Sequence, residues 1–142
     1  MSRPVANPVL TLKNLVVRYP GAERATLDGL DLQLHAGESL ALVGPSGCGK
    51  STVARAVLQL LPVGSQCQGQ LELVGQDPRQ LQRSALRRLR GEAAGLVFQD
   101  PMTRLNPLLT IGDHLADTLD AHRPSWGRQQ VQARATELLQ RV

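Results

Sequence analysis

Aromatic side chains are almost missing from this sequence. Its 142 residues include one Trp, one Tyr and one Phe, so the core must be built mainly from Leu, Val and Ala. Cysteine is scarce too. Cys48 and Cys67 are the two present, and Cys48 sits inside a glycine-rich loop where a structural disulfide is implausible. That usage points to a reducing compartment and to no metal site, and His35, His114 and His122 have no ligand spacing with the cysteines or with one another. No apolar run approaches the ~18 residues of a membrane span. The N-terminus, Met1-Ser2-Arg3-Pro4-Val5, lacks the apolar stretch of a signal peptide. Neither internal repeats nor low-complexity tracts occur. These absences predict a soluble, cytoplasmic chain, free to dock on a membrane complex.

What is present is an ordinary globular balance, with 42% apolar and 20% charged residues, and the length suits about one domain. The net charge is +4, and of the 16 basic residues all but Lys13 and Lys50 are arginine. Such a balance fits nucleic acid, phosphate substrates or nothing specific. Arg79, Arg83, Arg87 and Arg90 share one helical stripe, read as a solvated face rather than a nucleic-acid surface.

Alternation from Val9 to Tyr19 predicts a strand ended by Pro20-Gly21. Leu30, Leu32 and Leu34 predict a second, closed by Ala36-Gly37. Ser39 to Val43 is a continuous apolar run, as for a strand buried on both faces of a parallel sheet. A helix follows Lys50, with Val53, Ala56, Val57, Leu60 and Leu61 on one face and Pro62 as its stop. Gln70 to Val74 reads as a strand. Asp77-Pro78 opens a helix, with Gln80 in capping-box position and Gly91 as its end. Ala94 to Phe98 is a further strand. Thr110-Ile111-Gly112-Asp113 caps another helix. The last helix carries Val131, Ala135, Leu138, Leu139 and Val142 on one face, with no stop signal and no partner surface evident earlier in the chain.

Between the run ending at Val43 and the helix from Lys50 lies Gly44-Pro45-Ser46-Gly47-Cys48-Gly49-Lys50-Ser51, with Thr52 next. This is a phosphate-binding loop, the Walker A pattern, in its confirming strand-to-helix context. Glycines let several backbone N–H groups converge on phosphate oxygens, and the start of the helix adds its positive dipole end. Lys50 brings a point charge toward the β- and γ-phosphates, and Ser51 a hydroxyl for magnesium. Cys48 reads as a small side chain that fits a variable position. The alternative is a thiol made reactive by Lys50 and the helix start.

With the loop placed, the chain from about Leu10 onward resembles the ATP-binding subunit of ABC transporters. Val16-Val17-Arg18-Tyr19 looks like the family's A-loop, which makes Tyr19 an adenine-stacking residue; its plain reading is a strand aromatic on the core. Leu96-Val97-Phe98-Gln99-Asp100 looks like the Q-loop, whose glutamine contacts magnesium and the attacking water and senses the transmembrane partner. The plain reading of Gln99 is an exposed loop residue. The stretch Phe98-Gln99-Asp100-Pro101-Met102-Thr103-Arg104-Leu105-Asn106-Pro107, with Thr110-Ile111 after it, is similar to the oligopeptide, dipeptide and nickel importer branch. Arg104 stands where that branch suggests a small polar residue.

The resemblance implies an α/β P-loop NTPase fold, truncated within the helical subdomain. Residues 1–38 would be mainly the antiparallel β-subdomain, 39–99 the P-loop core with an inserted strand and helix, and 100–142 the start of the helical subdomain. It implies ATP and Mg2+ as ligands, with Tyr19 and residues 44–52 on the nucleotide, Ser51 and Gln99 on the metal, and Gln99 in catalysis. It also implies permease subunits and a second ATP-binding subunit as partners, at the inner face of the cell membrane, with no nucleic acid. The family's Leu-Ser-Gly-Gly signature, its strand ending in Asp-Glu (Walker B) and its switch histidine do not follow Gln99. The chain is therefore expected to be the N-terminal part of a longer protein whose reading frame supplies them. Two alternatives stand beside the importer: a truncated nucleotide-binding fragment without turnover, and a soluble ABC ATPase of DNA or translation work.

Overall fold

The structure, a computed structural model, describes residues 7–141. They fall into two compact units, the first running to Leu86 and the second beginning at Arg87.

The first unit is built on an antiparallel sheet of β1 (Leu10–Arg18), β2 (Leu27–Leu34) and β3 (Gln66–Leu73), in the order β2-β1-β3. All three expected segments carry strands, but β2 begins at Leu27 and β3 at Gln66, earlier than expected, and Val74, at φ 51°, lies outside β3. A strict two-residue period would place Leu12 and Leu15 on opposite faces. Both are nevertheless fully buried, together with Val17. The ladder shifts register between Lys13 and Val16, and Asn14 lies in the left-handed region at φ 48°. Asn tolerates that conformation better than most residues. One bulge therefore resets the parity and turns all three side chains to the core. Gly69, facing the bulge, cannot be replaced without cost: a Cβ there would lie 2.2 Å from the Asn14 carbonyl oxygen. Each fully buried Leu contributes about 1.5–3 kcal/mol relative to exposure.

Helix α1 (Lys50–Val57) packs beside β3 and buries Val53, Ala56 and Val57. It is shorter than the sequence suggests. Gln59 takes φ 54°, its N–H bonds the Ala56 carbonyl at 3.1 Å, and Leu60 N–H reaches the Arg55 carbonyl at 2.7 Å. This pair of bonds is a Schellman ending with Gln59 in the place usually taken by glycine. The helix stops ahead of Pro62, and Leu60 and Leu61 lie beyond it.

The helix expected from Asp77 to Gly91 is divided. Pro78–Gln80 form a 3-10 turn, Leu81 is extended at ψ 140°, and α2 (Arg83–Glu92) starts afresh. The Asp77 carboxylate caps Arg79 N–H at 2.9 Å and also binds the Arg79 guanidinium at 2.7 Å. Arg79 reaches on to the Cys67 and Gly69 carbonyls of β3 at 3.3 and 3.0 Å. It is an anchor between turn and sheet, not a member of a solvated stripe. Gly91 lies inside α2, which ends one residue later.

In the second unit α3 (Ile111–His122) and α4 (Arg128–Leu139) pack against each other. Thr110 and Asp113 form the expected capping box: the Thr110 hydroxyl accepts from Asp113 N–H at 3.1 Å, and the Asp113 carboxylate accepts from Thr110 N–H at 3.0 Å. Val131 and Ala135 are buried and α4 packs on α3, so part of the expected face has a partner surface, whereas Leu139 is exposed. Val142 lies outside the described residues. Among those residues no helix is long and apolar enough to cross a membrane.

Residues 39–43 and 94–98 are not strands. Among the described residues, neither segment belongs to a ladder. An apolar run becomes a buried parallel strand only when neighbours take its backbone N–H and C=O groups. Here Leu40, Val43 and Val97 are exposed instead. The α/β class holds, with its antiparallel part formed.

Candidate functional site

The loop from Gly44 to Ser51 leads directly into α1. Gly47 and Gly49 have φ 84° and 96°, conformations that L side chains rarely adopt. At Gly49 a side chain is excluded twice over, because a Cβ would lie 2.6 Å from Leu27 Cδ2 and 3.0 Å from the Thr26 carbonyl oxygen. The start of β2 therefore forms a wall behind the loop, a feature with no sequence signal.

Lys50 folds back over the loop. Its ammonium donates to the Gly44 and Pro45 carbonyls at 2.8 and 2.7 Å and lies 3.5 Å from Cys48 Sγ. Among the described residues, no protein acceptor takes a hydrogen bond from the backbone N–H of Gly47, Gly49, Lys50 or Ser51. Four open donors, a helix start and a neighbouring ammonium make a cradle for an oxyanion. Ser51 and Cys48 are exposed, and both Cys48 and Cys67 are free thiols. Burial, partly offset by Arg79, pushes the Cys67 thiol above its usual range.

Tyr19 follows the end of β1, half-buried. Its hydroxyl lies 3.2 Å from the hydroxyl of Thr52, which is itself buried. Strand end and helix start are thus joined by one side-chain bond. The structure brings Tyr19, the loop and Thr52 together within the first unit. In that arrangement the Thr52 hydroxyl meets Tyr19 rather than solvent.

Gln99 belongs to the second unit and is exposed. Its neighbours are not slack. Arg104 lies over the Phe98 ring, and the Thr103 hydroxyl donates to the Asp100 carbonyl at 2.8 Å. The sequence singles out Gln99 but carries no sign of these ties.

Residues 27–142 match a family model described as "ABC transporter". The chain is 40% identical over 138 residues to the oligopeptide transport ATP-binding protein OppD of Mycobacterium tuberculosis, covering 96% of this chain and 22% of that protein. It is 37% identical over 142 residues to the probable D,D-dipeptide transport ATP-binding protein DdpD of Escherichia coli, covering 97% and 43%. A putative peptide import ATP-binding protein of Brucella melitensis is 40% identical over 144 residues, with 95% and 42% covered. The chain thus spans less than half the length of each of these relatives.

Proposed function

We propose that this chain, which belongs to the ABC transporter family, is the nucleotide-cradling part of an ATP-binding subunit that serves peptide import. The observation that carries the reading is the Lys50 ammonium held at the Gly44 and Pro45 carbonyls, over a loop whose N–H groups are open at the start of α1. Peptide import is supported by the relatives, whose names describe oligopeptide, dipeptide or peptide transport. They favour it over a soluble ATPase of DNA or translation work.

In this reading the N–H groups of Gly47, Gly49, Lys50 and Ser51 hold phosphate oxygens, and Lys50 turns from the loop carbonyls to the same oxygens. Its charge then offsets theirs. Tyr19 supplies a ring for the adenine, oriented by its bond to Thr52. Magnesium, when bound with the triphosphate, neutralises charge on the β- and γ-phosphates. Among the described residues no three His, Cys, Asp or Glu side chains are placed to hold a metal. The Ser51 hydroxyl would hold the ion, and the Gln99 carboxamide is the second ligand that the family resemblance implies. Gln99 also orients the attacking water. Hydrolysis belongs to the complete dimer, where two ATP-binding subunits meet beneath permease subunits at the inner face of the membrane.

Replacing Lys50 tests the cradle. Lys50→Ala should nearly abolish ATP binding in a calorimetric titration of the purified chain. Unchanged affinity would remove the basis for the phosphate-loop reading.

A further inference from the structure

We propose that Arg104 is a positioning residue for Gln99, acting through the ring of Phe98. The inference rests on Gln99 being a residue of the nucleotide site. The guanidinium carbon of Arg104 stands 5.2 Å from the centroid of the Phe98 ring, inside the ~6 Å reach of a cation–π contact. Phe98 immediately precedes Gln99. On the other side, Asp100 is held through its carbonyl by the Thr103 hydroxyl at 2.8 Å. Both ties come from the same 3-10 turn, Pro101–Arg104. Gln99 is thereby bracketed, with the residue before it and the residue after it fastened to one short turn.

The turn is itself secured. The Asn106 side chain accepts from Leu108 N–H at 3.0 Å, and the Asn106 carbonyl meets His114 Nε2 at 3.2 Å, which ties the segment to α3. An exposed glutamine on a slack loop must lose backbone freedom each time it engages a ligand. Fixing both neighbours beforehand removes much of that cost. A small polar side chain at position 104, as the importer branch suggests, is too short to reach the Phe98 ring.

The test compares ATP affinity with magnesium and with EDTA, the ratio being the magnesium increment. Gln99→Ala should lower that increment. Arg104→Ser should lower it about two- to five-fold, the range of an exposed cation–π contact, while leaving magnesium-free affinity unchanged. Arg104→Lys should restore part of the loss, because an ammonium still binds the ring face. The double variant should be no worse than Gln99→Ala alone. Phe98 is the sole phenylalanine, so ring-labelled phenylalanine gives one set of NMR signals, which Arg104→Ser should shift. Arg104→Ser with the parent's increment, beside a lowered increment in Gln99→Ala, would overturn the clasp and leave the Gln99 reading standing. Gln99→Ala without effect would overturn the Gln99 reading and the clasp with it. Ring signals that ignore Arg104→Ser would overturn the contact itself.

Discussion

Tyr19 carries two separable roles. Its ring is the adenine platform in the proposed site, whereas its hydroxyl joins the end of β1 to Thr52 on α1. Substitution can part them. Tyr19→Ala should weaken ATP binding by about 1–3 kcal/mol, the worth of a base–aromatic stack. Tyr19→Phe keeps the ring and should bind ATP as the parent does, while losing about 0.5–1.5 kcal/mol of stability with the hydrogen bond. Titration and urea unfolding on both variants check this. Parent-like binding by the alanine variant would mean that the ring does not stack on the base.

The turn after β3 depends on one ion pair. Asp77 caps the 3-10 turn and holds Arg79, which in turn holds two carbonyls of β3. The Arg79 hydrogen bonds keep the Asp77 carboxyl below its usual value of 3.8. A group with a depressed folded pKa adds stability that is present above its unfolded value and lost as the pH falls through the folded one. Asp77→Asn should therefore cost about 1–2 kcal/mol near neutrality. The gap to the parent should narrow as the pH falls below about 4, where the parent's carboxyl also protonates. Urea unfolding of both proteins from neutral to acid pH measures it, and a gap that stays constant would show that the charge of Asp77 is irrelevant. Helix ends illustrate a limit of local reading. The box at Thr110 and Asp113 uses neighbours in sequence and was legible there. The stop of α1 was not, because Gln59 occupies a position where glycine would have been the signal.

At the scale of the molecule, the proposed site has candidate residues for binding a nucleotide but few of the groups proposed to split it. The phosphate loop, Lys50, Ser51 and Gln99 are present, whereas the signature stretch and the acidic strand end are missing from the sequence. Removing one electrostatic stabiliser from such a site typically costs about 10²–10³ in rate, and several are lacking at once. Purified chain should bind ATP yet release phosphate no faster than a Lys50→Ala control. Phosphate release well above that control would mean that other residues of this chain supply the missing groups. Among the described residues, Leu40, Val43 and Val97 are exposed rather than paired.

The sequence alone determined the phosphate loop, the three alternating strands, the α/β class and the family, because each rests on residues close together or on a motif with fixed spacing. It also marked Tyr19, Lys50, Ser51 and Gln99 as the residues of interest. Tertiary structure decided what depends on distant partners. It set the bulge at Asn14 that turns Leu12 and Leu15 to one face, and the wall of Thr26 and Leu27 behind Gly49. It bound Tyr19 to Thr52 and took Arg79 out of the solvated stripe into the sheet. It also left residues 39–43 and 94–98 outside any sheet. Apolar composition states that a segment can be buried as a strand, but a strand exists only where another backbone meets its hydrogen bonds.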